Sequence, residues 1–331
     1  MKRQRFLHAA LGLGALAGLG GFTPAGHPLQ WRRRALVGFG TTLSLQAAHE
    51  DESTLDRALD AAVATLQRIQ AQMSLFDADS ALARLNRDGE LAAPPAELLE
   101  VLRIAQAVSR ASGGAFDVTV QPLWQAFEAA QRDARLPDAR AVSAARALVD
   151  WRGLELSPQR LRLRLRRPGM AVTLNGIAQG YAADRVRQVL AMHGIRHALI
   201  DAGEYAMLGR NAQGRRWTLA IANPRDEAAL LARLTCDGRC VATSADNATS
   251  FSADRRHHHI FDPHTGYSPP TLASVTVVAD SGAIADALTK VMFVAGPQRA
   301  LALARHWDVE VLWVDKAGAW QATPGLRAAA A

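Results

Sequence analysis

The residues best suited to chemistry cluster near the C-terminus. His259-Ile260-Phe261-Asp262-Pro263-His264-Thr265-Gly266 puts an imidazole, a carboxylate and a tight turn in one short loop. Asp262 can accept backbone amides in that turn, so a purely structural reading stands beside a chemical one. Asp286 follows in an apolar helical run and needs a cation or a hydrogen-bond partner, because burying a lone carboxylate is costly. Lys290 lies four residues on, on the same helical face. Two readings remain open from spacing alone: an intrahelical ion pair, or a metal ligand whose partners come from elsewhere. His257-His258-His259 cannot all turn to one ion, because adjacent side chains alternate direction along a strand. One functional imidazole, His259, with two exposed neighbours is the expectation.

Two glycine-bearing segments can bring backbone close to a ligand. Gly113-Gly114-Ala115-Phe116-Asp117-Val118-Thr119 enters a helical segment, and Phe116 can pack on a flat ring. A helix-capping loop built on Asp117 is the plainer alternative. Asn175-Gly176-Ile177-Ala178-Gln179-Gly180 reads as a strand-turn-helix junction whose free amides attract anions such as diphosphate. Its spacing is neither a dinucleotide fingerprint nor a P-loop, and a plain turn explains it equally.

The elements that must position these residues follow from periodicity. Val37 to Ala47 alternates as a strand, and Glu52 to Met73 has helical spacing with Leu55, Leu59, Leu66 and Ile69 on one face. Further helices are expected at 80–85, 94–111, 120–130, 141–147, 180–193 and 283–294, the last stopped by Gly296-Pro297. Strands are expected at 154–156, 161–165, 172–174, 197–201, 217–222, 230–235, 240–243, 274–278, 309–314 and 320–323. Helices dominate the first half and strands the second. The fold class is therefore α+β, a helix-rich first half packed on a largely antiparallel sheet, rather than regular βαβ units.

The 331 residues are 49% hydrophobic, ample for a substantial core. Lys2, Arg3 and Arg5 precede an apolar run from Phe6 to Phe22, then small residues. Five glycines in the run disfavour an ordinary helix, so residues 1–25 read as an export signal and 26–331 as one domain. The arginines are not adjacent, so Sec and Tat export both remain open. The expected location is periplasmic. Three of the seven net positives lie in that segment, leaving +4. Leu161, Leu163 and Leu165 alternate with Arg162, Arg164 and Arg166, a strand with a solvated arginine face. Nucleic acid is not an expected partner. Cys236 and Cys240 flank a Gly-containing gap; a disulfide, two free thiols and a metal clip lacking its other ligands are the readings compatible with it.

Taken in order, these pieces resemble the ApbE family of flavin transferases. Gly38-Phe39-Gly40-Thr41, Met73-Ser74-Leu75-Phe76 with Ser80 and Asn86, Gly114 to Thr119, Asn175 to Asp184, Thr243-Ser244, His259 to Gly266 and Asp286 carry the resemblance. Asp201-Ala202-Gly203-Glu204 and His258 to Pro263 are most similar to the NosX-type branch associated with nitrous-oxide reduction.

The resemblance implies an ApbE-like, T-fold-like architecture and a reaction. FMN passes from FAD to a Thr or Ser hydroxyl of another protein, and AMP leaves. The implied acceptor is an exported or membrane respiratory flavoprotein; on the NosX-type reading it is a regulatory membrane protein of nitrous-oxide reduction. Carried over by position, Phe39, Phe76, Ala115, Phe116, Asp117, Thr173, Gln179, His259 and Phe261 would hold FAD. His259 and Asp286 would be catalytic. Mg2+ would take the Gly176 carbonyl, Asp286 and the side chain at 290, where Lys290 replaces the family's usual Thr. An ammonium there would repel a divalent ion or stand in for it beside the diphosphate. Gln179, Glu204-Tyr205 and Ala245 are further departures. A transfer-inactive FAD-binding accessory protein and an FAD diphosphate hydrolase are the alternatives.

Overall fold

The computed structural model describes residues 28–330 apart from 158 and 160, so the expected export segment lies outside the described residues. The described chain opens as a hairpin of β1 (Gln30–Gly38) and β2 (Thr41–His49). Phe39 and Gly40 make its two-residue turn, with φ of 49° and 79°. Positive φ at both positions matches the twist of the strands it joins. A single strand was expected across this turn, because Phe at a left-handed position gives no turn signal.

The helical first half follows: α1 (Glu52–Met73), α2 (Ala81–Asp88), α3 (Ala96–Ala111), α4 (Gln121–Gln131) and α5 (Ala139–Arg146). Side-chain caps fix three of the starts. Asp51 accepts from the Thr54 amide, Ser80 from that of Ala83 and Asp138 from that of Ala141. The short β3 (Glu90–Ala92), β4 (Leu154–Ser157) and β5 (Arg162–Leu165) form a separate sheet in the order β3-β5-β4. On β5, Leu163 and Leu165 are buried while Arg162 and Arg164 are exposed, the solvated face that alternation implied.

The second half holds α6 (Ala178–Met192), β6 (His197–Asp201), β7 (Tyr205–Leu208), β8 (Thr218–Asn223), β9 (Asp226–Thr235), β10 (Cys240–Ala245) and β11 (Leu272–Ala279). Then come α7 (Gly282–Ala295), α8 (Pro297–Trp307), β12 (Glu310–Asp315), β13 (Trp320–Ala322) and β14 (Ala328–Ala330). Eight strands join in the order β1-β2-β6-β7-β10-β11-β12-β13, every neighbouring pair antiparallel. The α+β expectation with an antiparallel sheet is borne out. Strand alternation splits the core between the two faces of this sheet. On β12, Val311 and Trp313 join the helices, while Leu312 and Val314 join Trp217, Leu219 and Ile221 on the other side.

Gly296-Pro297 stops α7 as expected, with Gly296 as its C-cap at φ 74°, but a further helix that spacing did not indicate follows at once. Pro297 begins α8, where its missing N–H would be unsatisfied anyway. The expected strand at 172–174 is irregular; the Asn86 amide clamps both backbone groups of Val172 at 2.7 and 2.8 Å. Cys236 and Cys240 are buried free thiols. Cys236 packs with Trp217 and Val241, whereas Cys240 joins the helix-side core, with its Sγ 3.4 Å from Asp184 Oδ1. β9 and β10 belong to different sheets, and the loop between them sends the two sulfurs into different core clusters. Burial pushes both thiols up, that of Cys236 to about 12. Among the described residues, no helix is long and apolar enough to cross a membrane.

Candidate active site

A cavity of about 850 Å³ opens where the loop before α4, the start of α6, the 259–263 loop and α7 converge. Its position depends on the close crossing of α6 and α7. A Cβ on Gly180 would lie 2.0 Å from the Gly282 carbonyl oxygen, so only glycine permits this approach. Asp184 on α6 ties the two helices together. It accepts from the Gly282 amide at 2.8 Å, from the Ala283 amide at 3.0 Å and from the Ser281 hydroxyl at 2.7 Å. A carboxylate at this helix start satisfies free amides and complements the dipole.

The Gly113–Thr119 loop supplies one wall. Gly113 and Gly114 take φ of 65° and 87°, and the turn brings Ala115, Phe116 and Asp117 to the cavity. Asp117 is nearly sealed, yet both its oxygens are used. Oδ1 accepts from the Thr119 amide and hydroxyl, each at 2.7 Å, and Oδ2 from the Trp151 amide at 2.9 Å. Burial raises its carboxyl above the ordinary range despite these bonds. Asp117 thus holds the loop's shape.

Asp286 and Lys290 form the charged floor. Asp286 is 1% exposed; its Oδ2 accepts from the Gly180 amide at 3.2 Å, and its Oδ1 lies 2.5 Å from Lys290 Nζ. Lys290 also donates to the Asp286 carbonyl at 3.2 Å. Lys290 reaches the cavity lining and Asp286 does not. The adjacent Thr289 turns away and bonds the Ser244 hydroxyl at 2.7 Å. Glu204 is also buried, with Oε2 accepting from the Thr243 amide at 2.9 Å. Burial first, then the charge of Asp286, pushes its carboxyl well above the usual range, against the pull of Lys290.

His259 lines the opposite side, half-buried. Its Nδ1 lies 3.2 Å from the Thr249 carbonyl oxygen. A carbonyl only accepts, so Nδ1 carries the proton and Nε2 keeps the lone pair. Burial brings its pKa down to about 4, so the ring is neutral near pH 7. His258 was expected to be exposed and is wholly buried. Its amide donates to Ser268, its Nε2 to the Pro269 carbonyl, and its ring packs on Phe293. Asp262 accepts from the His264 amide at 2.9 Å, while the other edge of the His264 ring lies 3.1 Å from the Gly113 carbonyl. The 259–266 loop is thereby laced to the Gly113 loop.

Of the residues singled out in the sequence, Ala115, Phe116, Asp117, Thr173, Gly176, Gln179, His259, Phe261 and Lys290 meet around this cavity. Phe39 does not line it; that ring packs against the core beside the hairpin turn. Phe76 stands 88% exposed, also outside it. Thr41, Thr42, Trp124 and Asn247 line the cavity without having been singled out as ligands. Thr41 had a signal as the last residue of the Gly38-Phe39-Gly40-Thr41 motif, and Thr42 follows it directly. Trp124 had none beyond an apolar helical position.

The residues present do not fit a divalent ion as they stand. Asp286 Oδ1 is taken by Lys290, and the third expected ligand position is itself the ammonium. At about 4 Å and an effective dielectric of about 20, a divalent ion and an ammonium repel by about 8 kcal/mol. Among the described residues, no three His, Cys, Asp or Glu side chains are grouped to hold a metal.

The sequence profile of the ApbE family matches residues 39–313. A FAD:protein FMN transferase of Klebsiella pneumoniae (strain 342) is 30% identical over 329 residues, covering 95% of this chain and 93% of its own length. One from Haemophilus influenzae is 31% identical, covering 75% of each. The apo crystal structure of the Pseudomonas stutzeri flavinyl transferase ApbE superposes with a TM-score of 0.77 at 29% identity, over 89% of this chain and 95% of that one. The ApbE protein of Thermotoga maritima gives 0.79 at 25% identity, over 89% and 97%. With the expected motifs converging on one cavity and the match running through nearly the whole described fold, the chain belongs to the ApbE family.

Proposed function

We propose that this chain is a FAD:protein FMN transferase acting on a Thr or Ser hydroxyl of an exported or membrane respiratory flavoprotein. The observation that carries the reading is the convergence of the Phe116 loop, the α6 start, His259 and Lys290 on one cavity of about 850 Å³. That volume is at the large end for ligand sites, as a dinucleotide requires. Phe116 and Phe261 offer ring faces to a flavin or adenine, and Gln179 and Thr173 offer polar edges.

In the transfer, the acceptor hydroxyl oxygen bonds the flavin-side phosphorus while the bond from that phosphorus to the bridging oxygen breaks. The bridging oxygen leaves with AMP, and the hydroxyl proton is lost. The neutral Nε2 of His259 is the nearby base to take it, a weak one because burial lowers its pKa to about 4. The protein's part in such a displacement is mainly positioning and charge neutralisation. A mature chain beginning after residue 25, working in the periplasm on a NosX-type acceptor, is the setting this reading implies.

Lys290 favours a second reading, an FAD-binding accessory protein without transfer, because it stands where the family's metal ligand is expected. One assay separates them. The mature protein, FAD and an acceptor domain carrying a modifiable Thr are mixed, and the acceptor is read by in-gel fluorescence and intact mass. Covalent FMN on the acceptor, lost in Asp286→Ala, is the expected result. Tight FAD binding with no transfer to any of several acceptors moves the reading to the accessory protein. AMP release without an acceptor moves it to a hydrolase.

A further inference from the structure

We infer that the Lys290 ammonium is the site's own cation for the FAD diphosphate, so that this chain binds FAD without a divalent ion. The inference rests on the reading that FAD occupies the cavity, and it departs from the metal that the family resemblance implies.

Three observations carry it. First, Lys290 stands between Asp286 and the cavity. The carboxylate is sealed at 1% exposure and absent from the lining, while the lysine lies on it. An ion entering from the cavity meets the ammonium before it meets the carboxylate. Second, the ammonium is held with capacity to spare. It has three N–H donors. One goes to Asp286 Oδ1 at 2.5 Å and one to the Asp286 carbonyl at 3.2 Å, which leaves one for a ligand oxygen. Third, the chain makes room for this side chain. A Cβ on Gly176 would press on Lys290 Cε at 3.1 Å and touch the Phe116 ring at 3.4 Å, so the glycine leaves the lysine an unhindered path beside Phe116. Lysine serves as a point-charge phosphate binder elsewhere in protein chemistry, and here its partner carboxylate fixes it instead of leaving it to swing in solvent.

The test measures FAD affinity by flavin fluorescence, for the native mature chain in chelator and again with excess Mg2+. Native affinity is expected to agree within about twofold between the two conditions. Lys290→Thr is expected to bind about tenfold or more weakly in chelator and to recover with Mg2+, and Lys290→Arg to keep its affinity in chelator. Native binding that tightens about tenfold or more on adding Mg2+ overturns the inference and leaves the transferase reading standing. So does a tight Mn2+ site seen by electron paramagnetic resonance in the native chain with FAD, a measurement that needs no variant to fold. A folded Lys290→Met chain that binds as tightly as native in chelator also overturns it. Failure of the native chain to bind FAD in either condition sinks both this inference and the transferase reading.

Discussion

Glu204→Gln tests the electrostatics of the site floor through folding rather than catalysis. Glu204 is 6% exposed, shares its surroundings with Asp286 and Asp201, and has Lys290 as a countering charge. Burial and the Asp286 charge raise its carboxyl well above the ordinary range, so the folded chain keeps a proton that the unfolded chain has already released. The sign follows from linkage. Below about pH 4 both states are protonated and Glu204 contributes nothing to the pH dependence. Above that, ionisation favours the unfolded state, and the contribution of Glu204 to native stability falls by up to about 1.4 kcal/mol per pH unit until the folded-state pKa is passed. Glutamine keeps the shape and can still accept from the Thr243 amide, but has no proton to lose. The stability gap between Glu204→Gln and native is therefore expected near zero at about pH 4, opening in favour of the variant with that slope. Urea unfolding of both chains at four pH values between about 4 and 7.5, with linear extrapolation, reads the gap directly. A gap independent of pH refutes the reasoning. A native chain more stable than the variant at neutral pH refutes it more sharply, because Glu204 would then be an ionised partner of Lys290.

Two further outcomes follow from the packing and the imidazoles. Gly180→Ala puts a methyl group 2.0 Å from the Gly282 carbonyl oxygen and 2.8 Å from Asp286 Cβ. Backbone cannot yield as a flexible side chain would, so a loss of about 3 kcal/mol is expected in thermal or urea unfolding, with weakened FAD binding; an unchanged melting temperature would contradict the helix crossing. His258 and His259 have pKa values lowered by burial to about 3 and about 4, so the unfolded state binds protons the folded state refuses. The contribution of the two imidazoles to stability should fall as pH drops from about 6.5 toward 4, and His259→Gln should remove up to about 1.4 kcal/mol per pH unit of it; identical slopes would mean His259 titrates freely in the fold.

Most of what was legible in the sequence was local. The apolar faces of α1 and α7 need only neighbouring residues to specify them, and these elements formed where periodicity placed them. Motif residues of the Gly113–Thr119 and Asn175–Gly180 segments also reached the cavity, because glycine lets backbone approach closely there. The failures share a different cause. The positive φ of Phe39 is imposed by strand pairing between β1 and β2, which spacing along one strand cannot reveal. Burial of His258 depends on Ser268, Pro269 and Phe293, the first two beyond a turn and the last on α7. The cysteines were near enough for a bridge by count, but the core clusters they join are set by strands far apart in the chain.

Lys290 lies between these cases. Its spacing from Asp286 identified the ion pair, and periodicity put both on one helical face. Which of them faces the ligand depends on the α6–α7 crossing, on Gly180 and Gly282 lacking side chains, and on Gly176 leaving the lysine a path. Had α7 been rotated to bring Asp286 to the lining, the same two residues would present a carboxylate to a metal. The crossing instead buries the carboxylate and leaves the ammonium on the cavity wall, so the charge presented to the cavity is decided by three glycines as much as by the lysine.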